Sequence, residues 1–206
     1  GEQSRRAFVR DQARRAVPGN DRRHHADRLA HQQADIAARL RRVTLLRHAQ
    51  AEAPRAGGSD RERQLDRRGL VDAGEMAQCL VANGLIPDRI LASPAVRTRQ
   101  TAEAILRNLA LERAVLMFDE SLYLAEADRI LAVIMSVPAD VEHLLVVGHN
   151  PGLSELAGGL APGVAPRDLH TAGALTLRYK NVQGSDLRSD HVEQAQYYSP
   201  GQLGYA

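Results

Sequence analysis

From Val43 onward, short apolar runs alternate with segments whose apolar residues recur at helical spacing. Strands alternating with helices are typical of an α/β domain with a mostly parallel sheet. The last two predicted strands follow each other closely, which predicts an antiparallel edge. The predicted strands cover residues 43–46, 90–92, 115–118, 144–147, 175–179 and 192–198, and the predicted helices centre on 70–81, 102–109, 130–134 and 153–160.

Two of these segments carry more detailed predictions. In the first helix, Asn83-Gly84 provides the stop signal, and five residues at helical spacing predict the buried face. In residues 175–179, apolar and polar residues alternate, which predicts a strand with one wetter face. The residues of the predicted helix face are Leu70, Ala73, Ala77, Leu80 and Val81.

Residues 1–42 differ from the rest of the chain. They hold 11 Arg against 5 acidic residues, a net charge of +6, whereas residues 43–206 carry −4. Large apolar residues are few there, so we expect a basic extension that is disordered or partly helical, with one short helix over Asp27–Arg41. A basic tail that binds an acidic partner is the functional alternative. Because the positive charge lies outside the predicted domain and aromatic residues are scarce, we expect no nucleic-acid partner.

The chain has one cysteine, Cys79, so it cannot form an intrachain disulfide. A single cysteine without a possible intrachain partner fits a protein of a reducing compartment. No apolar run approaches the roughly 18 residues of a membrane span, and no secretory leader is recognisable. We therefore expect a cytoplasmic protein that does not associate with a membrane.

Three polar elements follow predicted strands at their carboxyl ends. These are Arg47-His48, the stretch Ser93–Arg97, and the stretch Gly148–Gly152, which contains His149. In an open parallel sheet, ligands bind beyond the carboxyl ends of the strands. Two arginines and two histidines are therefore expected to converge on one rim.

Such a rim suits a phosphate group. Two guanidinium groups repel a metal cation and bind phosphate oxygens in a bidentate manner, and helix N-termini add backbone N–H donors. A neutral histidine there could attack phosphorus, while the arginines and the second histidine neutralise the equatorial oxygens. This chemistry needs no metal and no cofactor.

Each residue has an alternative interpretation when taken alone. His48 could be a buried histidine with satisfied hydrogen bonds, and Arg97 could be a solvated helix residue. Other phosphate enzymes fit less well: Leu85 stands where Cys79 would need an arginine in a cysteine phosphatase, and the single lysine, Lys180, is outside any Walker loop. No cluster of zinc ligands is evident around His48.

Five motifs in order resemble the histidine phosphatase superfamily, and more narrowly its branch of small SixA-like phosphohistidine phosphatases. The resemblance covers about residues 43–200. Ala49 stands where the wider superfamily usually has Gly, and Gln64 where it often has Pro. The motifs are Leu46–Glu52, Ser59–Leu65 followed by Gly69, Ser93–Glu103, Asp119–Tyr123 and Val146–Leu153.

The resemblance implies a phosphoglycerate mutase-like fold, a three-layer α/β/α sandwich, with residues 43–206 as the catalytic domain. It makes His48 the phosphoryl acceptor and places Arg47, Arg97 and His149 in the phosphate pocket. Asn150 would also bind substrate. Larger members of the superfamily use a carboxylic acid as proton donor. Glu120 is the candidate here, with a capping or solvated carboxylate as the alternative.

The resemblance implies a metal-independent phosphatase that works through a covalent phosphohistidine intermediate. A site short of a general acid favours phosphohistidine or aryl phosphates, because alkoxide leaving groups need a proton. The expected partner is therefore a phosphorylated protein or a small phosphate ester. The alternatives are a small-molecule phosphomonoesterase of the same superfamily and a non-catalytic phosphoprotein-binding module.

Overall fold

The computed structural model describes residues 41–138, 140–180 and 187–201. The predicted N-terminal extension, apart from Arg41 and Arg42, and the predicted helix before Arg41 lie outside these residues. The strands are β1 (Arg42–Arg47), β2 (Arg89–Ala92), β3 (Leu116–Phe118), β4 (His143–Gly148), β5 (Ala174–Tyr179) and β6 (Val192–Tyr198). Within the described ranges, the helices longer than one turn are α1 (Arg67–Ala82), α2 (Val96–Asn108), α3 (Ala127–Met135) and α4 (Gly152–Leu160).

The six strands form one sheet in the order β3-β2-β4-β1-β5-β6. Strand β4 lies between β1 and β2 and pairs parallel with both, and β2 also pairs parallel with β3. Strand β5 pairs antiparallel with both β1 and β6. The predicted parallel sheet with an antiparallel edge is confirmed.

Helices cover both faces of the sheet, so the molecule has the predicted three layers. On one face the apolar side chains of α3 and α4, such as Ile134 and Leu153, pack on alternate strand residues such as Leu45 and Val146. On the other face α1 and α2 pack on the remaining alternate residues, such as Leu46. Successive buried residues of the central strands β1 and β4 thus point into one apolar core or the other, as the period of two in a strand requires.

The predicted buried face of α1 was partly wrong. Leu70 is 53% exposed and Val81 is 50% exposed, whereas Met76 and Cys79 are buried. The buried residues of the helix, among them Gly69 and Leu80, recur at intervals of three or four. Leu70 and Val81 each follow one of these residues directly. They are therefore turned by about 100° away from the core, since an α-helix rotates by that angle per residue.

The predicted wetter face of β5 was also wrong. Thr176 is buried under the α1–α2 layer, and of the polar residues in the strand Arg178 is the exposed one. The Thr176 hydroxyl lies 2.9 Å from the Thr44 hydroxyl, which is 2.9 Å from His143 Nε2. The His143 Nδ1 donates to the carbonyl of Ile86 at 3.1 Å. The polar groups on this face are buried because they satisfy one another.

Gly69 in the first turn of α1 lies where the helix meets the chain after β1. The N-cap Asp66 accepts a hydrogen bond from the Gly69 N–H at 2.7 Å. A Cβ atom at Gly69 would lie 2.0 Å from the Gln50 carbonyl oxygen. The helix start and the loop after β1 can approach this closely because position 69 has no side chain.

We predict opposite effects for two alanine substitutions in α1. Gly69→Ala should destabilise the fold by about 1–3 kcal/mol, because backbone must move to admit the methyl group. Gly74→Ala is the matched control in the same helix, where a Cβ atom would meet nothing within 4 Å. It should stabilise the fold by about 0.5–1 kcal/mol through helix propensity. Urea unfolding of both variants measures the difference, and equal effects would contradict the close contact at Gly69.

Candidate active site

The carboxyl ends of β1, β2 and β4 bring three predicted site residues together. His48 follows β1, His149 follows β4, and Arg97 lies in the first turn of α2, which begins after β2. The rings of His48 and His149 have centroids 5.1 Å apart at an interplanar angle of 63°. Arg97 and His149 are buried, at 3% and 2% exposure. The predicted convergence on one rim is thus present in the geometry.

The hydrogen bonds of His48 define its tautomer. Its Nδ1 lies 2.7 Å from the Ala49 carbonyl oxygen, which can only accept, so Nδ1 carries the proton. Arg97 Nε donates to His48 Nε2 at 3.2 Å. Burial lowers the pKa of His48 to about 4, aided by Arg97 and Arg47 and opposed by the bond to Ala49. His48 therefore presents an unprotonated Nε2 to the guanidinium at neutral pH.

His149 is held in the opposite tautomer. Arg97 Nη2 lies 3.3 Å from His149 Nδ1, and a guanidinium can only donate. The proton is therefore on Nε2, which donates to the Ser93 hydroxyl oxygen at 2.8 Å. Burial lowers the pKa of His149 to about 3, and the neighbouring His48 and Arg97 lower it further. Both histidines are thus neutral around one guanidinium group.

Arg47 and Asn150 both donate a hydrogen bond to the same main-chain carbonyl group. Arg47 Nη1 donates to the Leu169 carbonyl oxygen at 2.8 Å, and Asn150 Nδ2 donates to the same oxygen at 3.1 Å. Within the described part of the chain, Arg47 Nε and Asn150 Oδ1 are buried without hydrogen-bond partners. One donor and one acceptor are therefore left for a ligand.

Asp60 was missed as a site residue by the sequence interpretation. Its Oδ2 accepts from Arg97 Nη2 at 2.9 Å and from the Tyr123 hydroxyl at 3.1 Å, and its Oδ1 accepts from Arg63 Nη1 at 2.9 Å. These partners lower the pKa of Asp60 to about 2, with the Arg63 hydrogen bond as the largest cause. The available signal was the motif Ser59–Leu65, which contains Asp60 but gives it no role.

Tyr123 was also missed as a site residue. Its ring lies 5.6 Å from the His149 ring at an interplanar angle of 90°, so it covers one side of that histidine. Tyr123 directly follows the short 3-10 helix Glu120–Leu122, which comes after β3. Its position beside the proposed donor Glu120, in the motif Asp119–Tyr123, was the signal.

Glu120 itself is directed to the surface. Both of its carboxylate oxygens accept from Arg61 Nη2, at 2.5 and 2.7 Å, and its side chain is 73% exposed. Among the described residues its hydrogen bonds are to Arg61 and not to His48, Arg97 or His149. The structure therefore does not join Glu120 to the cluster of histidines.

Two features are absent from the described ranges. No group of three or more His, Cys, Asp or Glu side chains there could hold a metal ion. No described helix is long and apolar enough to cross a membrane.

Residues 43–122 match the family model of the histidine phosphatase superfamily, branch 1. The chain belongs to this superfamily. Among curated relatives, a chloroplastic protein of Arabidopsis thaliana is 32% identical over 130 residues, which are 59% of this chain and 59% of that protein. A Mycobacterium tuberculosis protein is 38% identical over 116 residues, which are 56% of this chain and 70% of that protein. Both relatives are described as uncharacterized.

Solved structures of this superfamily share the fold. SixA from Agrobacterium tumefaciens superimposes with a TM-score of 0.66 at 26% identity, covering 79% of this chain and 99% of that one. The protein histidine phosphatase SixA complexed with tungstate gives a TM-score of 0.64 at 24% identity with the same coverage. A phosphoglycerate mutase from Bacillus anthracis has the same fold at a TM-score of 0.58 and 13% identity, covering 76% of this chain and 97% of that one. This histidine phosphatase superfamily member therefore has the predicted phosphoglycerate mutase-like fold.

We predict that acid destabilises the protein between pH 6.5 and 4. Unfolded histidines bind protons near their ordinary pKa of about 6.5, but in the fold His48 and His143 bind one only near pH 4 and His149 only near pH 3. The unfolded state thus holds more protons in this window, so the stability present above pH 6.5 is lost as the pH falls. Each residue should contribute a slope of up to about 1.4 kcal/mol per pH unit.

Urea unfolding at a series of pH values measures this slope. His143→Gln should remove the contribution of one histidine and leave those of His48 and His149. A free energy of unfolding that stays constant from pH 6.5 to 4 would show that these histidines are not buried in the neutral form.

Proposed function

We propose that this protein is a phosphatase that transfers a phosphoryl group to His48 Nε2 and then to water. The observation that supports this most directly is the hydrogen-bonding of His48. Its Nδ1 proton is held by the Ala49 carbonyl, so Nε2 is unprotonated and its lone pair points at Arg97 Nε, the position that a phosphoryl group would take. A neutral, oriented imidazole next to fixed cations is the arrangement that nucleophilic attack on phosphorus requires.

In the first step the Nε2 lone pair of His48 would attack phosphorus. The bond between phosphorus and the leaving group breaks, and the leaving group takes the electron pair and a proton from solvent. His48 then carries phosphate on Nε2 and still carries its proton on Nδ1. The Ala49 carbonyl would stabilise the positive charge that the ring acquires.

In the second step a water molecule would attack the phosphohistidine. The P–N bond breaks, its electron pair returns to His48 Nε2, and inorganic phosphate leaves after the water has released a proton. Arg97 and Arg47 would bind the equatorial oxygens in both steps, since Arg47 Nε is a buried donor with a free hydrogen. Asn150 Oδ1 would accept from a protonated group of the substrate.

The carboxylates near the rim favour a substrate with a good leaving group. Asp60 is ionised at neutral pH because its pKa is about 2. Glu120 is bonded through both oxygens to Arg61 at the surface. Neither carboxylate is set up as a neutral acid, so an alkoxide would leave without a proton donor. We therefore propose phosphohistidine on a protein as the substrate class.

The likeness to two SixA structures supports the same substrate class. One SixA structure holds tungstate, an oxyanion with the shape of phosphate. A phosphorylated protein would then be the partner, and the reducing compartment that Cys79 suggests would be the cytoplasm. Catalysis by residues 43–206 without a divalent metal is part of this proposal, with residues 1–42 as an appendage.

We predict that His48→Ala abolishes turnover while the protein still binds inorganic phosphate. Loss of a catalytic nucleophile costs about 10⁴-fold or more in kcat. The phosphate ligands Arg97, Arg47 and His149 stay in place, so calorimetry should still detect phosphate. Labelled phosphate trapped in the parent protein without acid should map to His48. Label on another residue would contradict the assignment.

We predict a steep dependence of kcat on the leaving group. Across phosphate esters of increasing leaving-group pKa, the rate should fall strongly, because general acid help of about 10²–10⁴-fold is missing for alkyl esters. Phosphohistidine and nitrophenyl phosphate should be the best substrates in the series.

The variant Glu120→Gln tests whether Glu120 donates a proton to the leaving group. It should leave the dependence unchanged, since Glu120 is tied to Arg61. A shallow dependence in the parent that becomes steep in Glu120→Gln would make Glu120 the proton donor. That result would move the best assignment to a small-molecule phosphomonoesterase. Phosphate binding without turnover of any ester would support the non-catalytic binding module.

A further inference from the structure

We propose that Asp60 is a positioning residue that holds the Arg97 guanidinium in the orientation needed for phosphoryl transfer. The inference rests on the proposed function and assigns Asp60 a role in the same site.

Arg97 offers two bidentate edges, and each has its own partners. The edge formed by Nε and Nη2 faces the histidines, with Nε bonded to His48 Nε2 and Nη2 bonded to His149 Nδ1. The edge formed by Nη1 and Nη2 faces Asp60. There Nη1 donates to the Asp60 main-chain carbonyl at 2.6 Å and Nη2 to the carboxylate at 2.9 Å. Asp60 alone therefore occupies one whole edge.

Asp60 is itself fixed by other groups. Its carboxylate accepts from Arg63 and from the Tyr123 hydroxyl, so it is held from two further directions. Arg63 is tied back through Nε to the Glu52 carbonyl at 2.8 Å. Asp60 begins the 3-10 helix Asp60–Glu62, and Arg61 of this helix pairs with Glu120, which fixes the helix to the segment after β3. A residue held in this way can hold a guanidinium plane in turn.

The two edges imply separate tasks. A phosphoryl group on His48 would lie at the edge formed by Nε and Nη2, because this edge of Arg97 faces His48 Nε2, the atom that would carry the group. Asp60 keeps the other edge throughout the reaction. It also balances the charge of a buried arginine, which would otherwise be costly to desolvate. Because the Asp60 carboxylate would repel a phosphate anion, its contribution lies in alignment and not in ground-state attraction.

This role predicts a loss of kcat with little change in KM. In Asp60→Ala, Arg97 keeps its charge but loses an acceptor pair that defines its plane, so kcat should fall about 10–100-fold, the usual effect of removing a supporting hydrogen-bond partner. KM should stay within about threefold, because a repulsive charge is lost together with the alignment. Asp60→Asn should retain part of the activity, since its amide oxygen can accept from Arg97 Nη2. Glu112→Gln changes an exposed carboxylate that precedes β3, at the amino end of that strand, and should leave kcat unchanged.

A double-mutant cycle tests whether Asp60 acts through Arg97. In the Arg97→Lys background, which lacks the second edge, Asp60→Ala should change kcat by less than about threefold. A fall as large as in the parent would overturn the proposal. So would a leaving-group dependence that becomes steeper in Asp60→Ala, since that would make Asp60 a proton donor. Calorimetric binding of one phosphate per chain in each variant would show that the lost activity is not lost folding.

An NMR measurement tests the role without turnover. The Arg97 Nε–H signal, assigned by its loss in Arg97→Lys, should be protected in the parent and in Glu112→Gln. In Asp60→Ala its proton should exchange with water at least about tenfold faster. An unchanged signal would overturn the positioning role whatever the activity. A parent protein without turnover in which the signal depends on Asp60 would instead refute the proposed function and leave the positioning role standing.

Discussion

The buried guanidinium of Arg97 is the group on which the geometry of the site depends. It is 3% exposed and carries five N–H donors, which must find acceptors because water cannot reach them freely. The acceptors are Asp60 and one ring nitrogen each of His48 and His149. A ring nitrogen accepts only when it is unprotonated. Burial and the donors of Arg97 together keep both histidines neutral, and the hydrogen bonds to Arg97 direct a lone pair of each ring toward the guanidinium.

The sheet explains how this guanidinium reaches both histidines. Because β4 lies between β1 and β2, residues that follow these three strands meet at one edge although they are far apart in sequence. The start of α2 is fixed by hydroxyl groups: Thr98 bonds the Ser93 carbonyl and Thr101 accepts from the Ala49 N–H. These contacts tie the helix that carries Arg97 to the loops after β2 and β1. Small polar side chains thus set the distance between Arg97 and His48.

Much of the site could be predicted because its residues directly follow strands. Apolar periodicity locates strand ends, so His48, Arg47, Arg97 and His149 could be assigned to one rim before any coordinates were known. Asp60 could not be assigned in this way. It lies in a loop without periodicity, and its partner Arg97 is 37 residues away. Leu70 is exposed because it lies one residue beyond a buried position of α1 and is therefore turned away from the core. Thr176 is buried because helices cover both faces of the sheet. The order of apolar and polar residues around Leu70 and Thr176 does not show either fact.

The two arginines of the site differ in how their charge is compensated, and this suggests a division of tasks. Arg97 forms an ion pair with Asp60, so little of its charge is left to attract an anion from solution. Arg47 bonds a main-chain carbonyl, and Asp168 acts on it through space. Arg47 is therefore the stronger source of attraction for a phosphate, whereas Arg97 supplies a fixed direction. Since alignment matters most in the transition state and attraction acts already in the ground state, Arg47 should govern KM and Arg97 should govern kcat.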